Sequence, residues 1–260
     1  MAVTQFCVFF APKTTQTLNM ERYLRNRIYV NNSELDKVRH TRIFLGGAGI
    51  GSIIAECALR FGFERITIVD GDRIEHSNLN RQNYTTADVG KFKAETLANR
   101  LLAINPDADI KVHNVFITCD NVDELLADCD IAINALDFKD MTPFVFDDVC
   151  AKKNIPVLHP YNFGWAGFLA AVEPRGAKLS LLSDNPQGFE LKVAKYVAGN
   201  TPCEWFEETI RQVAEEGGKL PPPQLSIGSW AAASLAVKVM YRIATGKNVD
   251  YFPKYYLSGF

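Results

Sequence analysis

The chain of 260 residues lacks the closely spaced cysteine pairs of a structural zinc site. A zinc ion of that kind needs four converging ligands, which usually come from two such pairs. The six cysteines are widely separated and form no CxxC pair: Cys7, Cys57, Cys119, Cys129, Cys150 and Cys203. We therefore predict no zinc, and we expect most of these cysteines to be small buried apolar side chains.

An excess of either charge and a long apolar run are also missing. The chain has 28 Lys and Arg residues against 30 Asp and Glu residues, for a formal net charge of −2, which gives no overall attraction to nucleic acid or an anionic membrane. The apolar run from Ile227 to Val237 is far shorter than the roughly 20 residues that a membrane span needs. No basic flank precedes the apolar residues 7–11, which argues against a secretory signal. We expect a cytoplasmic protein without nucleic-acid or membrane partners.

The sequence does contain a strand–turn–helix–strand pattern at residues 42–70. An apolar run at 42–45 leads directly into the glycine-rich sequence GGAGIG at 46–51. A helical pattern follows and ends at Gly62, and a β-branched run then ends at Asp70. This order within about 30 residues predicts a βαβ unit.

Helices and strands continue to alternate further along the chain. We predict helices at Lys91–Ile104, Val122–Leu126 and Asp147–Lys153, and strands at Asp109–Phe116, Ile131–Asn134, Pro156–Leu158 and Gly167–Val172. This alternation predicts a Rossmann-like, doubly wound α/β fold with a mainly parallel sheet and helices on both faces. Ligands of such sheets bind beyond the carboxyl ends of the strands. The glycine-rich turn, Asp70 and Asp137 each follow a predicted strand, so we expect them to converge there.

Residues outside this alternation form the ends of a single predicted domain, 1–260. Residues 1–40 are predicted as a helical arm, with one helix from about Asn19 through Arg27 and a second around Ser33 to Arg39, capped by Ser33. Residues 176–226 are predicted as a crossover or lid segment, with an amphipathic stretch at 204–216 and three prolines at 221–223. A long apolar helix at 227–241 and an aromatic strand or surface-packed strip at the C-terminus are expected after it.

The glycine-rich turn and Asp70 have the spacing of a nucleotide site. Gly49 and Gly51 lack the Cβ atom that would keep backbone N–H groups from a phosphate at a helix N-terminus. A carboxylate about 20 residues downstream, as at Asp70, can accept hydrogen bonds from ribose hydroxyls. A nicotinamide dehydrogenase explains these residues equally well.

The polar segment after Asp70 separates the two interpretations. It reads DGDRIEHSNLNRQ over 70–82, where a dehydrogenase would normally begin a helix, and DVGKFK follows at 88–93. This order closely resembles the E1-like activating enzymes, the family of the sulfur-carrier adenylyltransferases ThiF and MoeB and of the ubiquitin-activating enzymes. The sequences RYLR at 22–25, Asn105-Pro106 and TGK at 245–247 extend the resemblance. It covers residues 21–175 and resumes over 223–246.

The resemblance implies an ATP-dependent adenylyltransferase that forms an acyl-adenylate on the C-terminal carboxylate of a ubiquitin-like protein or peptide. The acid attacks the α-phosphorus and pyrophosphate leaves, so cations must meet a triphosphate that brings about four negative charges. The implied roles are Arg81 and Lys93 at the phosphates, Asp137 at Mg²⁺, Asp70 at the ribose, Asp72 and Asn78 beside the phosphate or metal, and Gly46, Gly49 and Gly51 in the nucleotide turn.

The resemblance also implies roles for Arg25 and Cys203. Arg25 matches the arm arginine that reaches the γ-phosphate of the neighbouring subunit in dimeric members, which implies a homodimer. Thr201-Pro202-Cys203 resembles the Thr-Pro-x-Cys sequence of the thioester cysteine in larger members, with a spacing that differs by one residue. A thiolate there could capture the acyl group, although the acidic residues that follow would raise its pKa. The adenylate could otherwise pass to sulfur or to an amine.

Each assignment has a simpler structural alternative. Arg81 and Asp70 could form a surface ion pair, and Lys93 could lie on a solvated helix face. Asp137 could cap the next helix, and Arg25 could belong to a charged arm face. We interpret the four histidines, including the one at 159, as structural.

The sequence departs from the family pattern at two further positions, and it leaves two alternative functions open. Ala48 replaces a glycine of the family's GxGGxG turn, and Lys139 stands near a position where an arginine is common.

The first alternative function is a non-catalytic partner subunit, which would have no need of four site residues together (Arg81, Lys93, Asp70 and Asp137). The second is the nicotinamide dehydrogenase, in which the cationic 78–82 loop would leave no clear proton donor–acceptor pair.

Overall fold

The computed structural model describes residues 21–260 of the chain. Cys7 and the beginning of the predicted first helix lie outside the described residues. Within them, Glu21 and Arg22 are helical, and a single 3-10 turn follows at Leu24–Asn26.

The second predicted helix is present as α1, Asn32–His40, but its predicted cap is wrong. The Asn31 side chain accepts the backbone N–H of Glu34 at 3.0 Å, and the Glu34 carboxylate accepts the N–H of Asn31 at 3.1 Å. This reciprocal capping box satisfies two N–H groups at once, so the helix begins before Ser33.

A seven-stranded sheet lies at the centre of the fold, in the order β3-β2-β1-β4-β5-β6-β7. The strands are β1 (Arg42–Gly46), β2 (Arg65–Val69), β3 (Asp109–His113), β4 (Ile131–Asn134), β5 (Val157–Phe163), β6 (Ala166–Val172) and β7 (Tyr256–Ser258). The first five are parallel, β6 is antiparallel to β5, and β7 is antiparallel to β6. The predicted mainly parallel, doubly wound α/β fold is therefore confirmed.

Helices cover both faces of the sheet because its parallel strands are apolar on both sides. After α1 the helices are α2 (Gly51–Phe61), α3 (Lys93–Ile104), α4 (Val122–Leu125), α5 (Thr142–Lys152), α6 (Phe189–Asn200), α7 (Glu204–Glu215) and α8 (Ser226–Thr245). Strand β1 contributes Ile43 and Leu45 to the core with α2, α3 and α8, and Phe44 to the core with α4 to α7. In residues 21–260 no helix is both long and apolar enough to cross a membrane.

Several predicted boundaries and one helix differ from the structure. Helix α5 begins five residues before the predicted Asp147, with a proline in its first turn, where that residue is favoured. Strand β3 ends at His113, and β5 continues to Phe163 because it pairs with β6 along its whole length. Helix α6 lies in the segment predicted as a crossover or lid, where no helix was predicted at its position. It is held by apolar residues four apart, including Phe189 and Val193, which are fully buried.

Strand β1 pairs with β2 on one side and β4 on the other, which makes a topological switch point between β1 and β4. We call the edge where β1–β5 end the carboxyl edge and the opposite edge the amino edge. The glycine-rich turn follows β1 and Asp137 follows β4, so both lie at the switch point on the carboxyl edge.

Candidate functional site

The glycine-rich turn joins β1 to α2 with very little space around its backbone. A Cβ atom on Gly47, whose φ is +96°, would lie 2.5 Å from the Ala135 carbonyl oxygen, and one on Gly51 would lie 2.8 Å from Leu45 Cδ1. Ala48 is fully buried, so its methyl group points into the core and away from the surface of the turn. The departure from the GxGGxG pattern therefore leaves the exposed side of the turn unchanged.

Asp70 braces this turn. Its Oδ2 accepts the N–H of Ala48 at 2.6 Å, and its Oδ1 accepts the N–H of Asp72 at 2.7 Å. Burial raises the pKa of Asp70, while the two backbone hydrogen bonds and the charge of Lys93 oppose that rise. Each carboxylate oxygen keeps a second lone pair, which can accept a hydrogen bond from a ribose hydroxyl.

Lys93 is the first residue of α3, and it is buried, with 8% of its surface exposed. Its Nζ donates to Asp72 Oδ2 at 2.9 Å, and its backbone N–H donates to the Asp72 carbonyl at 3.0 Å. An ammonium group is this buried only when it is paired. The alternative interpretation of Lys93 as a solvated face residue is therefore wrong.

The guanidinium group of Arg81 is held by three neutral acceptors. Its Nε donates to the side-chain oxygen of Gln224, and its Nη1 donates to the Ser77 carbonyl and to Asn80 Oδ1, both at 2.8 Å. Burial lowers the pKa of Arg81, and the nearby charge of Asp137 opposes this effect. The ion-pair alternative for Arg81 and Asp70 is wrong, because no such pair is present in the described chain and backbone N–H groups bind both oxygens of Asp70.

Asp137 lies three residues beyond the end of β4 and forms an ion pair with Lys139, with 3.0 Å between Oδ2 and Nζ. Hydrogen bonding to Asp137, together with the charges of Asp137 and Asp72, raises the pKa of Lys139. The N–H of Thr142 at the start of α5 is instead accepted by Asp140, at 2.7 Å. The alternative role of Asp137 as the cap of that helix is therefore wrong.

Three cations and three carboxylates thus meet at the carboxyl edge: Arg81, Lys93, Lys139, Asp70, Asp72 and Asp137. The carboxylates that pair with the two lysines are accessible. The side chain of Asp72, the partner of Lys93, is 50% exposed, and that of Asp137, the partner of Lys139, is 72% exposed. An incoming polyanion can therefore replace these carboxylates as the partner of each ammonium group. Sequence reasoning noted Lys139 only as a departure from the family pattern and missed it as the third cation.

The donor set fits a hydrated metal ion better than a fully protein-bound one. Over residues 21–260, no group of three or more His, Cys, Asp or Glu side chains is placed to hold a metal. Mg²⁺ commonly keeps several waters and binds through one or two carboxylates together with substrate phosphates. The exposed carboxylate of Asp137 fits that mode of binding, and the charge of Asp72 acts on the same lysine, Lys139.

Asn78 and Tyr84 hold the polar segment in place. Asn78 is 8% exposed, and its Oδ1 accepts the N–H of Glu75 at 3.0 Å, which closes the 3-10 turn at His76–Asn78. The Tyr84 hydroxyl donates to the Ala48 carbonyl at 2.8 Å and lies 3.2 Å from that of Lys93. The structure therefore places Asn78 in the support of the loop, and Tyr84 is a support that sequence reasoning missed.

The structure does not bring Arg25 to this site. The arm around it is fixed at the amino edge, where the Tyr23 hydroxyl donates to Glu64 Oε1 at 3.0 Å and Asn26 Nδ2 donates to the Phe61 carbonyl at 2.8 Å. Phe61 is the last residue of α2, whereas the glycine-rich turn precedes its first. Eleven helical residues span about 16 Å, so Arg25 lies at the far end of α2 from the site.

Cys203 is also remote from the site. It is the residue before α7 and packs, partly buried, against the core that α4 to α7 share. The nearby Thr201 hydroxyl forms a 2.9 Å hydrogen bond with that of Tyr255, the residue before β7. Strand β7 is four places from β1 in the sheet, which corresponds to about 19 Å.

His159, at 1% exposure, lies 3.0 Å from Asp147, in agreement with its structural interpretation.

Comparisons with known proteins match most of the chain. The ThiF family model matches residues 23–258. The sulfur carrier protein ThiS adenylyltransferase of Bacillus subtilis is 34% identical over 159 residues, which are 59% of this chain and 47% of that protein. The SAMP-activating enzyme E1 of Haloferax volcanii is 30% identical over 186 residues, 68% of each protein. The chain thus spans about half the length of the Bacillus relative.

Solved structures share the fold at lower sequence identity. Escherichia coli MccB with ATP has a TM-score of 0.67 and 19% identity, covering 86% of this chain and 64% of that one. PaaA has a TM-score of 0.66 and 22% identity, covering 91% of this chain and 78% of that one. These likenesses concern the fold alone.

Proposed function

The chain belongs to the ThiF family, and on that premise we propose that it is an ATP-dependent adenylyltransferase. Its reaction is the activation of the C-terminal carboxylate of a ubiquitin-like carrier protein or a peptide as an acyl-adenylate. The observation that carries the proposal is the convergence of Arg81, Lys93 and Lys139 with Asp137 around the glycine-rich turn, at the switch point of the sheet.

The charges of the site support the binding of a triphosphate. In our proposal ATP lies across the glycine-rich turn, where the N-terminus of α2 favours negative charge. Asp70 accepts a hydrogen bond from the ribose through a lone pair left by its two backbone bonds. Lys93 exchanges its ion pair with Asp72 for phosphate oxygens, and Arg81 offers them a planar fork of donors.

The same cations stabilise the charge that develops in the reaction. The acceptor carboxylate attacks the α-phosphorus, the bond to the bridging oxygen breaks, and pyrophosphate leaves with the electron pair of that bond. Arg81, Lys93 and Lys139 face the leaving group and stabilise its charge. Mg²⁺, when bound, neutralises phosphate oxygens, and Asp137 would hold it, with Asp72 nearby as a further oxygen donor.

We propose a homodimer because Arg25 cannot serve its own site. Its arm is anchored about one α2 length from the glycine-rich turn, so an arginine that contacts the nucleotide must come from a second copy.

We keep residues 1–260 as one ThiF-type domain, with the arm at 1–40 and the crossover at 176–226, as a prediction. The cytoplasmic location also stays a prediction, as does the thioester role of Cys203.

The names of the relatives support two classes of acceptor. The Bacillus subtilis relative is named for the sulfur carrier protein ThiS and the Haloferax volcanii relative for SAMP, whereas MccB has been crystallised with N-formylated MccA. We place a carrier protein first, because those relatives are the more similar in sequence.

ATP–pyrophosphate exchange tests the proposal with purified protein and small carriers that end in Gly-Gly. We expect exchange that requires both Mg²⁺ and an acceptor. Calorimetric titration with ATP separates the alternatives without any acceptor. Failure to bind ATP would favour the non-catalytic partner subunit, and tight binding of NAD(H) instead would favour the dehydrogenase.

A further inference from the structure

Gln224 joins the end of the 176–226 segment to the Arg81 loop by two hydrogen bonds. Its side-chain oxygen accepts from Arg81 Nε, and its backbone carbonyl accepts from Asn80 Nδ2 at 3.2 Å. These partners are 143 and 144 residues away in sequence. One residue therefore fixes both the loop that carries Arg81 and the direction of its guanidinium group.

The backbone of Gln224 is itself held rigidly at the start of α8. The carbonyl of the next residue, Leu225, accepts from Asn162 Nδ2 at 2.7 Å, and the same amide donates to Ser229 Oγ at 2.8 Å. A Cβ atom on Gly228 would lie 2.6 Å from the Gly164 carbonyl oxygen, so α8 and the β5–β6 hairpin are in direct contact. The acceptor on Gln224 is thus presented from a fixed position.

The chemistry of this contact differs from that around the other two cations. Lys93 and Lys139 each form an ion pair with a carboxylate. The acceptors of Arg81 in the described chain are a side-chain amide of Gln224, a side-chain amide of Asn80 and a backbone carbonyl. All three are neutral, so they orient the guanidinium group without cancelling its charge.

We propose that Gln224 is a positioning residue for Arg81, which aims at the phosphates of ATP a guanidinium group that forms no direct ion pair in the described chain. This inference rests on the proposed function, because it assigns a polyanion as the direct ionic partner of Arg81. A carboxylate at position 224 would give a stronger, charge-assisted hydrogen bond, but it would also neutralise Arg81. The neutral amide provides alignment and leaves the charge to the ligand.

A purely structural role for Gln224 makes a different prediction from a positioning role. If Gln224 only fastened the segment to the loop, Gln224→Glu would preserve or strengthen that contact and leave ATP binding unchanged. If it positions a free charge, the same change weakens ATP binding while the fold stays intact. Gln224→Met, which keeps the length of the side chain but removes the acceptor, tests the alignment alone.

The experiment is calorimetric titration of the full-length protein with ATP and Mg²⁺, with the melting temperature of each variant measured beside it. We expect Gln224→Glu to weaken ATP binding about tenfold or more, because a neutralised guanidinium attracts phosphate far less. We expect Gln224→Met to weaken it about threefold, since the charge remains but loses its alignment. Asn154→Asp adds the same charge at the exposed amino edge, and it should bind ATP like the wild type.

The outcomes separate this inference from the proposed function. Wild-type affinity in Gln224→Glu would overturn the positioning role and leave the adenylyltransferase standing, whereas a wild-type protein that does not bind ATP would overturn both. If Gln224→Glu fails to fold, Asn80→Asp decides, because it places a carboxylate on the same guanidinium group from within the loop. Unchanged ATP affinity in Asn80→Asp would then overturn the inference.

Discussion

The two edges of the sheet use similar residues for opposite purposes. At the amino edge, the Glu64 carboxylate binds Tyr23, Arg39 and Asn105 at 2.9–3.2 Å, and all but Arg39 are buried. At the carboxyl edge, Asp72 and Asp137 are half to mostly exposed, and each holds a single lysine. A carboxylate whose acceptor sites are filled by its own chain fixes structure, whereas one with open sites can exchange partners with a ligand.

This contrast separates stability from activity. Changes at the exposed carboxylates of the carboxyl edge, Asp72 and Asp137, should abolish function and leave the fold nearly untouched, because surface substitutions rarely alter stability by more than about 0.5 kcal/mol. Changes at the amino edge should destabilise the fold through buried groups left without partners.

The largest effect is expected from Asp137→Ala at the carboxyl edge. We expect pyrophosphate exchange to fall about 1000-fold, because the carboxylate that would hold Mg²⁺ against the phosphate oxygens is lost. The melting temperature should stay close to that of the wild type, since the side chain is 72% exposed. Asp107→Ala, at an exposed position of the amino edge, is the control. Exchange that survives in Asp137→Ala would contradict its role at the metal.

A smaller loss is expected from Arg25→Ala, which tests whether the amino edge of one copy serves the carboxyl edge of another. We expect about 100-fold slower exchange, as for the loss of one donor to a charged transition state. Mixing Arg25→Ala with Asp137→Ala should restore part of the activity, because hybrid dimers then contain one intact site. If the mixture is as inactive as its components, Arg25 does not act across an interface.

The amino edge itself is tested by Glu64→Ala. The change removes the carboxylate that the buried Asn105 amide donates to, and it leaves the Tyr23 hydroxyl only its longer hydrogen bond, 3.3 Å to the Leu59 carbonyl. We expect the free energy of unfolding to drop by about 2 kcal/mol, measured by urea denaturation. Glu124→Ala, at an exposed position in α4, controls for the loss of charge. Equal stability of the two variants would mean that the Glu64 network contributes nothing.

The sequence predicted those parts of the site that lie next to strand ends. The glycine-rich turn begins at the end of β1, Asp70 directly follows β2, and Asp137 lies three residues after the end of β4. Parallel strands bring such positions to one edge. Their convergence therefore follows from the order of elements, without knowledge of side-chain contacts.

Contacts between distant segments could not be predicted in this way. Gln224 meets Arg81 across 143 residues, and only the seating of α8 on the β5–β6 hairpin brings them together. The cap of α1 was a local error of another kind, because Ser33 and Asn31 are both good caps. The Glu34 that completes the capping box with Asn31 was the signal available in the sequence.

The smallest effect concerns the pH dependence of the two edges, where the signs are opposite. At the amino edge, hydrogen bonding to Arg42 lowers the pKa of Asp130. The contribution of Asp130 to the free energy of unfolding is therefore fully present above its pKa in the unfolded chain, about 3.9, and is lost as the pH falls through its pKa in the folded protein. At the carboxyl edge, burial raises the pKa of Asp70. Its contribution is therefore greatest below the unfolded pKa and declines as the pH rises through the folded one.

Urea denaturation of Asp130→Asn and Asp70→Asn between pH 3 and pH 7 measures both trends. The stability difference between the wild type and Asp130→Asn should shrink in acid, by less than about 1 kcal/mol because this pair is partly exposed. The difference between the wild type and Asp70→Asn should instead grow in favour of the wild type as the pH falls. Parallel trends in the two variants would mean that burial of Asp70 does not outweigh its two backbone hydrogen bonds, and that the carboxyl edge is as well compensated as the amino edge.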